Sequence, residues 1–283
     1  MAGLSVFSRI DSLISAPPVT PQAFCDSQPC VNIRLGGADF ILNQPTSSAI
    51  VYILGIMWLA AGLYFLRTRA GQRSRTWWSI ALLLGGAAAI SAGTSYQAFG
   101  YEIKCAGREL CLWTSWWEVA YLTLQAASMD AMLIALAYAC ASGKLRKALI
   151  AYAIANAAAH FTITAFGALI PVRFMISFEL MILFTAPNLL ILFILCGSRF
   201  RRLKDAMDRS MLGAGIWLII TTGVYFVYMT MGLTQKLWER GIWFSENDAL
   251  HIFMIVWIVY IAFALGKRLK DTDEIARATV ASK

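Results

Sequence analysis

Charge is scarce in this sequence. Asp, Glu, Lys and Arg make up 14% of its 283 residues, against 59% that are hydrophobic. A soluble domain carries roughly 25% charged and 45–50% apolar residues, so an ordinary water-facing globule is excluded and lipid is the solvent for most of the chain. What stands in place of charge is a set of long apolar runs. Seven of them, at about 47–66, 76–100, 114–141, 147–169, 174–197, 211–233 and 248–266, reach the roughly 20 residues that cross a bilayer core. Runs of this length predict helices, because a helix satisfies its backbone polar groups within the segment, whereas barrel strands would be about half as long and alternating. The expected fold is an all-α integral membrane bundle of seven transmembrane helices over 47–266, with an extracytoplasmic tail at 1–46 and a cytoplasmic tail at 267–283.

Lys and Arg are sparse in alternate connections. The first ("RTRAGQRSR"), third ("GKLRK") and fifth ("SRFRRLKDAMDR") connections, with the segment after the last helix, hold 17 of the 24. A Lys/Arg excess marks the cytoplasmic side, so the N-terminus is expected outside and the C-terminus inside, in a bacterial inner membrane or another cell membrane. The net charge of +8 is then topogenic charge beside anionic headgroups of the bilayer, with no nucleic-acid partner implied. Cysteine usage agrees. Cys25 and Cys30 lie in the tail and Cys105 and Cys111 in the second connection, all on the side where disulfides persist. The expected pairs are Cys25–Cys30 and Cys105–Cys111, although four cysteines allow three pairings. Cys140 and Cys196 fall at cytoplasmic helix ends, where thiols stay reduced.

The tail lacks the uninterrupted apolar stretch of a secretory signal, since Arg9 and Asp11 break it. Leu4, Phe7, Ile10 and Ile14 instead share one face of a short amphipathic helix, expected on the membrane surface or on the bundle. "VNIRL" and "DFILN" flank Gly36 and Gly37 as a β-hairpin would. Such a tail is either a cap over the outer mouth, open to docking by a membrane protein partner, or an arm anchoring the first helix.

Two familiar seven-helix classes lack their signatures here. No lysine lies between Ala249 and Gly266, so a retinal Schiff base has no anchor in helix seven. An acidic–Arg–aromatic triplet and an Asn-Pro-x-x-Tyr, usual in G-protein-coupled receptors, are replaced by "AYACASGK" and "VWIVYIAF". No internal repeat of the kind common in carriers stands out either. Ionisable groups in lipid face the bundle interior or water by default, which singles out two groups of residues. Asp130, Asn156, His160 and Asn188 fall near the middle of helices three to five. Ser95, Gln97, Glu118, Glu179, Asn247, Asp248 and His251 fall nearer the outer face. Asp130 and His160 read either as a proton relay or ligand counter-ion, or as members of a buried Asp–His or Asp–Asn pair that fixes helix register.

In "NDALHIF", His251 stands four residues after Asn247 at the start of the last helix; "SAGTSYQAFGYEI" ends helix two with Ser95, and "TSWWEVAY" opens helix three with Glu118. This pattern resembles the CREST group of seven-helix membrane hydrolases, which includes the alkaline ceramidases. The resemblance implies a zinc ion, held by three histidines, that activates water. In the absence of zinc, Ser95, His251 and Glu118 are the candidate catalytic set for nucleophilic chemistry, with histidine as base and the carboxylate orienting it. The resemblance breaks at two zinc-ligand positions, where Phe99 and Asn247 replace histidines. His251 is then the one clear metal-ligand candidate, and catalytic zinc needs about three.

The function expected is non-catalytic: binding of a lipid-like or amphiphilic ligand through polar residues in the outer half, or service as a membrane subunit of a complex. No cofactor is expected. The alternative is a CREST-like hydrolase of a lipid amide or ester, with zinc.

Overall fold

The computed structural model describes residues 6–272. Seven helices are long and apolar enough to cross a membrane: α1 (Pro45–Arg67), α2 (Arg73–Ala98), α3 (Trp116–Cys140), α4 (Gly143–Leu169), α5 (Phe178–Leu203), α6 (Ala206–Thr230) and α7 (Glu246–Leu265). The protein is a helical membrane bundle. α5 and α6 run further toward each other than their apolar segments, because helical backbone continues through the basic stretch. Arg201 and Arg202 occupy the last turn of α5, where the helix dipole favours cations. Lys204 then adopts a left-handed conformation (φ +53°), and Asp205 caps α6 by accepting from the Met207 amide at 2.9 Å.

α3 is central, packing on α2, α4 and α5, while α1 packs on α2 and α7, and α6 bridges α5 and α7. Large side chains fill the interior, among them Trp58, Phe65, Trp78, Leu133, Met211 and Trp257. Trp58 and Trp257 stack at 5.3 Å between ring centres, and the Trp257 indole donates to the Ala214 carbonyl at 3.0 Å. Glycine makes room for this stack: a Cβ at Gly85 would lie 2.0 Å from Trp58. Leu190, Ile194, Ile216, Ile219 and Phe263 are exposed on the outside, where hydrocarbon solvates them at no cost.

The tail and the α2–α3 connection form one layer at one end of the bundle. A 3-10 helix, Val6–Ser12, replaces the expected α-helix, and Leu4 lies outside the described residues. Its three-residue turn separates the apolar face. Ile10 is fully buried against Val119, Ala168 and Ile176, whereas Phe7 is 66% exposed and packs edge-on against Trp116. Strands β1 (Cys30–Leu35) and β2 (Ala38–Asn43) pair antiparallel, with Leu35 opposite Ala38. Gly36 and Gly37 make the turn, both with positive φ, which a two-residue hairpin of the favoured twist requires. Disulfides join Cys25 to Cys30 and Cys105 to Cys111, and Cys140 and Cys196 are free. Backbone bonds stitch tail to connection: Ser15 N–H to the Cys111 carbonyl (3.1 Å), Cys111 N–H to that of Val19 (2.8 Å) and Trp113 N–H to that of Leu13 (2.7 Å).

The other end is closed by the segment after α7. The Asp271 carboxylate accepts from the Arg73 and Ser74 amides, both at 2.9 Å, capping α2. Arg75 donates to the Gly266 carbonyl at 2.6 Å.

Candidate functional site

Beneath the tail layer, a buried polar cluster forms where α2 ends. The last turn of α2, Gly93–Ala98, is a π-helix, a wider turn often found at functional sites, and it carries Ser95 and Gln97. Ser95 Oγ donates to Glu118 Oε1 at 2.8 Å and lies 2.7 Å from Ser115 Oγ. Since the one Ser95 proton is used on the carboxylate, Ser115 is the donor of the second bond. The short helix Gly100–Lys104 folds back so that Lys104 Nζ sits 2.9 Å from the same Glu118 oxygen and 5.1 Å from the centre of the Tyr96 ring. All four polar side chains are buried. Gln97 is buried too, and its Oε1 has no partner among the described residues.

A second cluster opens α7. Ser245 Oγ accepts from the Asp248 amide at 3.3 Å, and Asp248 Oδ2 accepts from the Ser245 amide at 2.6 Å. This reciprocal pair is a capping box, tied to α1 through Ser47 Oγ, 3.2 Å from Ser245 Oγ. Asp248 therefore serves the helix start. Asn247 is half-buried, and His251, one turn further on, keeps a buried Nδ1 without a partner among the described residues.

At mid-depth, Asp130 is the centre of a third cluster. Its Oδ1 accepts from Asn156 at 2.9 Å and from Asn188 at 2.8 Å, so one carboxylate oxygen joins α3, α4 and α5. Asn156 also donates to the Phe184 carbonyl at 3.0 Å, one turn before Pro187 inside α5. His160 is buried edge-on against Phe184, 5.3 Å between ring centres. The register-fixing arrangement is thus Asp–Asn, with His160 packed on an aromatic ring. Glu179 is exposed in the first turn of α5, away from the interior. Asn188 borders an internal cavity of about 30 Å³, shared with Trp78, Met129, Met211 and Trp257, which is room for about one water.

A larger opening lies on the outside, between α1 and α7. This groove has a volume of about 370 Å³ and is lined by Met57, Ala60, Tyr64, Val259, Ala262 and Phe263, with Lys267 at the capped end. Ala60, Ala61 and Ala262 are the small residues of its lining.

The residues Ser95 and Glu118, expected together, are in contact. His251 and Asp248 join no group of three metal-ligating His, Cys, Asp or Glu side chains among the described residues. Glu118 Oε1 is already occupied by a lysine and a serine. The donor set at this end does not fit the zinc that the hydrolase resemblance implies. Sequence reading missed Lys104 and Ser115, which lie outside any motif, and the capping box, whose signal was legible as Ser245-x-x-Asp248 at the start of an apolar run.

The profile of a family of unknown function, DUF6962, matches residues 47–270, which take in the seven helices from the first turn of α1 onward and stop just short of Asp271, and the chain belongs to that family. No curated protein and no solved structure matches it.

Proposed function

We propose that this DUF6962 member is a non-catalytic lipid-binding membrane protein with its N-terminus outside, and that its ligand is an anionic phospholipid held in the α1–α7 groove. The groove itself carries the reading: an apolar trough of about 370 Å³ open to the bilayer, with a lysine at one end. An acyl chain in it gains van der Waals contact along Met57, Tyr64 and Phe263 in place of bulk lipid tails. Lys267 adds a cation at the level where a phosphate would sit, beside the basic connections that favour anionic lipid. In the outer half Ser95, Glu118 and Lys104 satisfy one another and are not free for a ligand, whereas Gln97 Oε1 and His251 Nδ1 have no partner among the described residues. The orientation draws support from the basic residues at the capped end and the two disulfides at the other.

The test is native mass spectrometry of the detergent-purified protein with phosphatidylglycerol and phosphatidylcholine in competition. One phosphatidylglycerol per chain is expected to be retained in preference. Ala262→Phe, which fills the trough, should abolish retention, and Lys267→Gln should remove the headgroup preference. Equal retention in Ala262→Phe and the unsubstituted protein would overturn the proposal.

A further inference from the structure

At the opposite end of the bundle from the tail, three sulfur atoms from three helices converge. Cys140 Sγ, on the last residue of α3, lies 3.9 Å from Cys196 Sγ of α5 and 3.9 Å from Met211 Sδ of α6. Cys196 Sγ lies 3.6 Å from Met211 Sδ. The triangle is nearly equilateral, so an ion at its centre would stand about 2.2 Å from every sulfur, close to a metal–thiolate bond length. All three residues are buried, within a cluster that includes Leu136, Met207 and Ala214. Asp208 is fully buried beside them, its Oδ1 3.6 Å from Cys140 Sγ.

We infer that Cys140, Cys196 and Met211 form a three-coordinate site for one copper(I) ion. The donor types choose the metal. Thiolate and thioether sulfur select soft copper(I), whereas a structural zinc site closes with four Cys, His or carboxylate ligands. Among the described residues the one carboxylate in reach is Asp208, whose Oδ1 accepts from the Cys140 thiol at 3.6 Å, and it is held by Arg199, whose Nε donates to its two oxygens at 3.1 and 3.2 Å. Arg199 Nη1 also donates to the Cys140 carbonyl at 3.3 Å. The guanidinium thus holds both the carboxylate and the end of α3, and balances the charge of Asp208 beside the site. Binding replaces two thiol protons by one cation: Cu⁺ enters, two protons leave to solvent, and the two thiolates with the neutral thioether carry the bonds. The complex has one net negative charge, which Arg199 faces along with Asp208.

The experiment uses the full-length protein in detergent, titrated with copper(I) buffered by bicinchoninate, with ascorbate keeping the metal monovalent and the disulfides intact. One copper per chain should be withdrawn from the chelator, and X-ray absorption should show a sulfur-only shell. Cys140→Ser and Cys196→Ser should each abolish uptake. Met211→Leu, nearly isosteric and expected to fold as before, should weaken it by about tenfold or more. No copper withdrawn, uptake unchanged in Met211→Leu, or one zinc retained in place of copper would each overturn the assignment.

Discussion

A single buried ion pair, Lys104 with Glu118, governs the polar end of the bundle. Their side chains are 11% and 3% exposed, so neither charge has much water, and each depends on the other and on the two serines. Removing one partner leaves an uncompensated charge, which costs roughly 3–5 kcal/mol, whereas replacing both is far milder. Lys104→Met should therefore lower stability by about that amount, and Lys104→Met combined with Glu118→Gln should recover most of it, because glutamine still bonds Ser95 without a charge. The measurement is the midpoint of thermal unfolding in detergent. A double variant no more stable than Lys104→Met would show that the ion pair is not what the cluster depends on.

Among elements, the α1–α2 pair is set by how closely the two helices approach. Every large side chain in α1 that points at α2 needs a small one opposite, since lipid offers no hydrophobic drive for association and van der Waals fit decides the contact. At Gly85 an added methyl collides with Trp58, which is itself stacked on Trp257 of α7. Gly85→Ala is expected to destabilise by about 1–3 kcal/mol through overpacking and to shift tryptophan fluorescence. Gly223, in α6, has open space around a Cβ. There the same substitution should be neutral or stabilising by up to about 1 kcal/mol, since alanine is the better helix former. If both variants unfold at the same temperature as the parent, close packing of α1 on α2 is not limiting.

For the molecule as a whole, the two ends differ in chemistry as much as in shape. One carries the hairpin, both disulfides and the Glu118 cluster; the other carries most of the basic residues, the Asp271 cap and the sulfur triangle. A cysteine reporter at exposed Arg240, in the α6–α7 connection, should react with a membrane-impermeant maleimide applied to intact cells. A reporter at exposed Arg69, in the α1–α2 connection, should react only in inverted vesicles. The native Cys140 and Cys196 are buried and the other four cysteines are bonded, so the background is low. The reverse labelling pattern would turn the protein over in the membrane and remove the argument for disulfides outside.

Local features were legible without any structure. Seven spans follow from run length, since backbone in lipid must satisfy itself residue by residue. The disulfides follow from pairs five and six residues apart, and the hairpin from two adjacent glycines between β-prone runs. What faced what was not legible. In a soluble helix the apolar stripe tells which side is inward; here lipid outside is as apolar as the packing inside, and the helices are hydrophobic all round. Helix rotation therefore rests on side-chain fit and polar pairing across the bundle. Only the fold could decide that Asp130 meets Asn156 and Asn188 while His160 meets Phe184, that Lys104 turns back onto Glu118, or that Cys140 lies beside Met211, 71 residues along the chain.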